Sequence, residues 1–174
     1  APQPYMINFI NNLFKSKKET FKDKNNFKEL VKKKEIQDLF KSFNTYSDDS
    51  ELRFVGGCIR KLINDEIVDD IDLSTNLKPE NVIEILKKNN INFYETGIDH
   101  GTVTAVINKK SFEITSLRKD VKTDGRHTQV EYTKNWLEDA SRRDFTINAI
   151  YADIEGNLFD PFNGKKDLND GLIN

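Results

Sequence analysis

Two carboxylates stand two positions apart in "DIDLST", residues 70–75. In a strand, successive side chains point to opposite faces, so Asp70 and Asp72 share one face while Ile71 and Leu73 share the other. Like charges that close repel each other unless a cation or ample water lies between them. Taken alone the stretch is a strand with one solvated face, but its flanks suggest chemistry. Upstream, "LRFVGGCIRKLI" runs from a strand through Gly56 and Gly57 into a helix. A glycine pair there lets backbone approach a ligand, and the helix N-terminus turns free N–H groups toward an anion. Arg60, one turn on, adds a forked donor for a phosphate oxygen. A phosphate cradle and a carboxylate pair separated by one short helix are the parts needed to hold Mg²⁺ against a nucleoside triphosphate. Mg²⁺ takes one or two carboxylates plus substrate phosphates in preference to an all-protein cage.

Glu113 in "FEITSLR" alternates with Phe112 and Ile114 and so faces away from the core. If its strand lies beside "DIDLST", three carboxylates converge; otherwise Glu113 is a solvent-facing strand residue. Two metals about 4 Å apart at such a cluster would activate an attacking hydroxyl and steady a leaving pyrophosphate. The second dense block is "RRDFTINA", residues 142–149. On a helix, Asp139 and Arg143 are i, i+4 neighbours, as are Asp144 and Asn148. Interleaved with Phe145, Ile147 and Ala149, they read as a partly buried face offering Arg143, Asp144 and Asn148 to a triphosphate and a ribose. His100 reads as a turn residue at a strand entry. Arg126 and His127 fall in a polar loop, and Cys58 reads as a packed helix residue with only Arg60 near to activate its thiol.

The elements that must position these residues follow from the pattern. "FKELVKKKEIQDLFKSFN" has apolar residues at helical spacing and is expected to be one amphipathic helix. "MINFINNLF" repeats that spacing near the start. "PENVIEILKKNN" is a helix with Pro79 in its first turn. "INFYET", "TVTAVIN" and "KSFEITSLR" are strands, with "NKKS" as a hairpin turn. Residues 119–128 look like a mobile polar loop followed by a short strand, "QVEYT", "NWLEDASRRDFTINAIY" is helical over most of its length, as one helix or as two short ones, and "ADIEGNLFD" pairs two short strands. Strand, Gly-Gly, helix and strand are thus followed by mostly antiparallel strands, which is not the βα alternation of a doubly wound fold.

Composition bounds the function classes. The chain of 174 residues is 36% hydrophobic and 32% charged, with a net charge of −2. No apolar run approaches the roughly 20 residues of a membrane-spanning helix, and the opening residues lack the basic start of a secretory signal. One cysteine excludes an internal disulfide and fits a reducing compartment. With two histidines it is also too few for a zinc site. Lys15–Lys34 carries nine lysines against three acids, either a solvated helix face or a landing strip for a phosphate backbone.

"FVGGCIRKLI…DDIDLST", "TGIDHGTVTAV", "FEITSLRKDVKTDGRH", "SRRDFTINAIYAD" and "DPFNGKKDLNDG" occur in that order. With them, the chain from about Phe54 onward resembles the catalytic head of class II tRNA nucleotidyltransferases (CCA-adding enzymes) and bacterial poly(A) polymerases. The resemblance implies an α+β, polymerase-β-like fold, with about five strands in a mixed, mostly antiparallel sheet flanked by helices. It divides the chain into a lysine-rich helical extension, 1–50, and a catalytic head, 51–174. It implies transfer of CMP and AMP from CTP and ATP to the 3′ end of tRNA, with Mg²⁺ at a two-metal site, in the cytoplasm. Asp70 and Asp72 then match the metal carboxylates, and Gly57 and Arg60 the nucleotide-contacting turn. Arg143, Asp144 and Asn148 match the triphosphate- and ribose-facing block, and Glu113 a carboxylate often found on the adjacent strand. Lys61 stands where the family often has an acid. The base-selecting segment and the tRNA-gripping domains of the family are expected beyond Asn174, so the chain is expected to be a head fragment, weakly active or inactive alone. Poly(A) synthesis, CC- or A-addition, and a nucleotide- or RNA-binding module without turnover are the alternatives. Oligomeric state is not legible.

Overall fold

The computed structural model describes residues 20–123 and 127–171. The chain enters through two helices, α1 (Asn25–Lys32) and α2 (Lys34–Asn44). The single long helix expected here is broken at Lys33, whose backbone is extended (ψ 130°). The cause lies in the phase of the apolar residues. At 100° per residue, Phe27 and Leu30 lie about 180° around a continuous helix from Ile36, Leu39, Phe40 and Phe43. Only a break lets both stripes bury in one core, and all six residues are 3% exposed or less. Residues 1–19, with the "MINFINNLF" pattern and the start of the lysine stretch, lie outside the described residues, as does Arg126.

There follow β1 (Leu52–Val55), α3 (Gly57–Ile63), β2 (Ile71–Thr75), α4 (Pro79–Lys88), β3 (Asn92–Tyr94), β4 (Thr102–Ile107) and β5 (Lys110–Ser116). Next come β6 (Arg118–Thr123), β7 (His127–Tyr132), α5 (Trp136–Ser141), β8 (Tyr151–Ala152), β9 (Leu158–Phe159) and α6 (Gly164–Asn169). The main sheet has 7 strands in the order β3-β4-β5-β2-β1-β8-β9, where about five were expected. The increase comes from short edge strands, with β8 and β9 two residues each. β2 and β5 run parallel and every other pair in the sheet is antiparallel. β4 and β5 turn through Asn108 and Lys109, both at positive φ (52° and 65°), the twist a two-residue hairpin needs.

One further expectation is corrected. The supposed polar loop at 119–128 is largely a second, two-stranded sheet, β6 with β7, in which Arg118 pairs with Tyr132. The strand expected at "QVEYT" is most of β7, while the polar sequence of β6 had hidden its partner. Of the two readings of the 135–151 stretch, two short helical pieces is the one observed: α5 ends at Ser141, Arg142–Phe145 is irregular, and a 3₁₀ turn covers Thr146–Ala149.

One face of the main sheet, with Phe54, Leu73, Ile114 and Val103, joins residues of α1–α4 in a single apolar core. The register sends the other face elsewhere. Pairing partners link Phe159, Tyr151, Val55, Asp72, Glu113, Thr104 and Tyr94 into one row that crosses every strand of the sheet. Directly paired residues share a face, so the row has an apolar end, a carboxylate centre and a polar end. The apolar end packs under Trp136, Ala140 and Ala149 of α5 and the 3₁₀ turn. These elements border the carboxylates.

Candidate active site

β2 and β5 are adjacent and in register, so Asp72 and Glu113 are direct partners across the sheet. The adjacency expected of those strands is therefore present, and it brings two of the three carboxylates together as a direct pair. Asp70 lies at the mouth of β2, exposed, one position before the strand begins. Ile71 and Leu73 are buried while Asp72 is partly open, so the alternation read from "DIDLST" holds. Burial pushes the Asp72 carboxyl up to about 6, helped by a hydrogen bond and like charge from Glu113 and by the charge of Asp70, against the pull of Arg143. A carboxylate raised chiefly by burial and by its like-charged neighbours is a place where a cation is favoured.

The turn beside it is shaped by backbone chemistry. Gly56 adopts φ 75° and ψ −141°, a conformation essentially restricted to glycine. A Cβ there would also lie 3.4 Å from Asp72 Oδ2, so any larger side chain would crowd the carboxylate. Gly57, the first helical residue, opens to solvent with nothing within 4 Å of a virtual Cβ. Arg60 lies on the exposed side of α3, opposite the buried Cys58, Ile59, Leu62 and Ile63. Cys58 donates to the Val55 carbonyl at 3.1 Å, and burial pushes its thiol up to about 12, which rules out a thiolate nucleophile near neutral pH.

Arg143 reaches the site because Asp139 holds it. Asp139 is 1% exposed. Its Oδ2 accepts from Arg143 Nε (3.2 Å), Arg143 Nη2 (3.1 Å) and the Tyr151 hydroxyl. Its Oδ1 accepts from Arg142 Nε (3.1 Å) and the Arg118 backbone N–H (3.1 Å). Burial pushes this carboxyl up, yet Arg143, the Tyr151 hydroxyl, Arg142 and the Arg118 N–H together hold it below the ordinary range. The Arg143 guanidinium also sits over the Tyr151 ring, 5.5 Å from its centroid. Because Tyr151 occupies the same row as Asp72, this network fixes a cation beside the carboxylate cluster.

The i, i+4 pair Asp139–Arg143 is thus real. The companion pair is not: Asp144 lies in the irregular link, and among the described residues it makes no hydrogen bond or ion pair with Asn148. Asn148 is partly buried on the 3₁₀ turn. That turn is braced from below. Asp160 accepts from the backbone N–H groups of Gly164 (2.7 Å) and Lys165 (3.0 Å), and Thr146 donates to Asp167 at 2.7 Å. A Cβ on Gly164 would meet the Thr146 carbonyl oxygen at 2.2 Å, so α6 docks against the turn only through glycine. Sequence reasoning missed Tyr151, placed in a helix, and Arg118, treated as the end of a strand. The four-residue spacing of Asp139 and Arg143 was the one available signal for the hub.

The Poly A polymerase head domain model matches residues 52–174. The chain belongs to this family. Over 122 residues it is 45% identical to human mitochondrial CCA tRNA nucleotidyltransferase 1, covering 70% of this chain and 28% of that protein. It is 42% identical to a Lactobacillus helveticus CCA-adding enzyme, covering 71% of this chain and 30% of the relative. The chain therefore spans about a third of the length of these family members. Among solved structures, the Bacillus stearothermophilus CCA-adding enzyme in complex with CTP superposes with a TM-score of 0.69 at 30% identity, over 87% of this chain and 33% of that one. A tRNA nucleotidyltransferase complexed with a primer tRNA and an incoming ATP analog gives 0.56 at 27% identity, over 71% and 35%. The mixed sheet flanked by helices is the family's head fold. No helix of the described residues is long and apolar enough to cross a membrane.

Proposed function

We propose that this chain is the catalytic head, residues 51–174, of a tRNA nucleotidyltransferase that adds CMP and AMP from CTP and ATP to the 3′ end of tRNA. The observation that carries this reading is the Asp72–Glu113 pair in register on adjacent strands, with Asp70 at its edge and Arg143 beside it. The names of the CTP-bound and primer-tRNA-bound relatives support the choice of substrates.

The donor set suits Mg²⁺. It is all carboxylate oxygen, and its like-charge strain is of the kind a divalent ion relieves. Among the described residues no group of three His, Cys, Asp or Glu is arranged to cage an ion alone, but Mg²⁺ uses few protein ligands and completes its shell with water and phosphate. Asp70 and Asp72 would hold it, with Glu113 adjacent. When bound there, Mg²⁺ would lower the pKa of the attacking 3′-hydroxyl and neutralise phosphate charge.

The chain's own residues supply the rest. Gly56 keeps the space above Asp72 clear, and Gly57 lets a triphosphate approach the backbone at the start of α3. Arg60 and Arg143 contribute fixed positive charge. Asp144 and Asn148 sit on the same block and are assigned to the ribose. Catalysis is then mainly positioning and charge neutralisation, with pyrophosphate as the leaving group. Cys58, a free buried thiol, fits a reducing compartment, which we take to be the cytoplasm. The lysine-rich segment up to residue 50 is assigned to an extension of the head.

The test is incorporation of labelled CMP and AMP by the full-length parent protein, each nucleotide supplied separately, into tRNA lacking its CCA end, with Mg²⁺ and with EDTA. Magnesium-dependent transfer that Asp72→Asn abolishes is the expected result. Repeated incorporation of A alone would instead indicate poly(A) synthesis, and nucleotide binding with no transfer would indicate a binding module.

A further inference from the structure

Asp139 is over-subscribed. A carboxylate offers about four lone-pair positions, and this one already accepts from Arg142, from two nitrogens of Arg143, from Tyr151 and from the Arg118 backbone N–H. The Arg118 guanidinium obtains none of it. Its Nη1 donates only to the His100 carbonyl oxygen at 3.2 Å, and its Nε is buried without a partner. An unsatisfied buried donor is costly, the more so when charged. Burial, with the nearby charges of Arg142 and Arg143, works against the Arg118 cation, and Asp120 and Asp139 only partly offset them. Glu138, the other acid on this helix turn, is within 3.9 Å of Lys119. Three guanidinium groups thus gather around Asp139, with Asp120 the other acid acting on Arg118, and an arginine cannot relieve such crowding by losing its proton.

We propose that Arg118 and Arg142 form, next to Arg143, a phosphate subsite organised by the buried Asp139. The assignment rests on reading the neighbouring carboxylates as a nucleotidyl-transfer centre and extends that reading to residues outside it. Asp139 fixes Arg142 and Arg143 through their Nε atoms. Arg118, held by its own backbone N–H on the same carboxylate, brings a guanidinium that makes one hydrogen bond, to the His100 carbonyl, and leaves Nε without a partner. The phosphate belongs either to the tail of the nucleotide or to the backbone of the RNA strand, two sources of one chemistry.

Equilibrium binding to the full 174-residue chain separates them, with inorganic triphosphate as one probe and a short single-stranded RNA with a free 3′-hydroxyl as the other. Arg118→Gln should weaken at least one probe about tenfold or more while the melting temperature holds. Loss confined to triphosphate assigns the nucleotide tail; loss confined to RNA assigns the backbone. Arg118→Lys, which keeps the charge but not the fork, should fall between wild type and Gln. If Arg118→Gln does not fold, Arg142→Gln carries the same expectation from a partly exposed position. Unchanged binding of both probes by a folded variant overturns the subsite. The carboxylate reading fails separately, through an Asp72→Asn variant that still transfers nucleotide.

Discussion

Asp72 and Asp139 are two carboxylates on one face of the molecule, linked through Arg143, and they behave in opposite ways. Asp139 is the more deeply buried, yet it is held below the ordinary range because cations and a hydroxyl saturate it. Asp72 is more open, yet it is pushed up to about 6, with Glu113 and Asp70 adding to the effect of burial. At Asp139 the neighbours outweigh burial, whereas at Asp72 burial leads and the neighbours add to it. One carboxylate is completed by the fold and serves as structure, whereas the other is left incomplete and is suited to complete a cation's shell.

The comparison can be broken most sharply at Asp72. Asp72→Asn should lower nucleotidyl transfer by roughly 10²–10³-fold or more, read by label incorporation. It should also raise the melting temperature at neutral pH. A folded-state pKa raised above the unfolded value favours the fold at low pH, and that contribution is lost as pH rises through about 6. The advantage of the Asn variant should therefore appear between about pH 4 and 6 and stay level above. A melting temperature that falls at pH 7 would contradict the like-charge account.

Asp139→Asn should do the reverse. Removing one partner of a buried ion pair costs about 3 kcal/mol, or about 6–12 °C in melting temperature for a chain of this size, measured by thermal denaturation at neutral pH. Smaller again is Glu113→Gln, which removes a like charge and should move the Asp72 midpoint down from about 6 toward the ordinary range, followed by NMR of the carboxyl carbons. At the bottom stands Lys32→Ala. Its pair with Glu29 is 3.3 Å long, but the two side chains are 71% and 72% exposed, so less than about 0.5 kcal/mol is expected by denaturant titration.

Legibility followed the range of the interactions. The strand–glycine–helix–strand order and the alternation of buried Ile71 and Leu73 with Asp72 need only local periodicity, and both hold. The helix expected over 27–44 failed because amphipathic spacing was judged without its phase across Lys32–Lys34. Of the β6–β7 hairpin, β7 was legible in "QVEYT", whereas β6 was hidden because it is mostly polar. The 142–149 block was placed on a helix with two i, i+4 pairs, of which Asp139–Arg143 holds and Asp144–Asn148 does not, because the chain is irregular between Arg142 and Phe145. The bracing that holds it open, through Asp160, Gly164 and Asp167, comes from residues about 20 positions away.

By itself, the sequence determined which residue types were on hand: two acids flanking Ile71 at the start of a strand, a glycine turn where only glycine fits, and an arginine four positions from an aspartate. These are settled by backbone geometry over a few residues. Only the tertiary structure decided that β5 lies parallel to β2 in the register that sets Glu113 against Asp72, and that Tyr151, Arg118 and Arg142 gather on Asp139. Those pairings depend on strand order and long-range packing, and a charge acquires its meaning only from the neighbours that packing gives it.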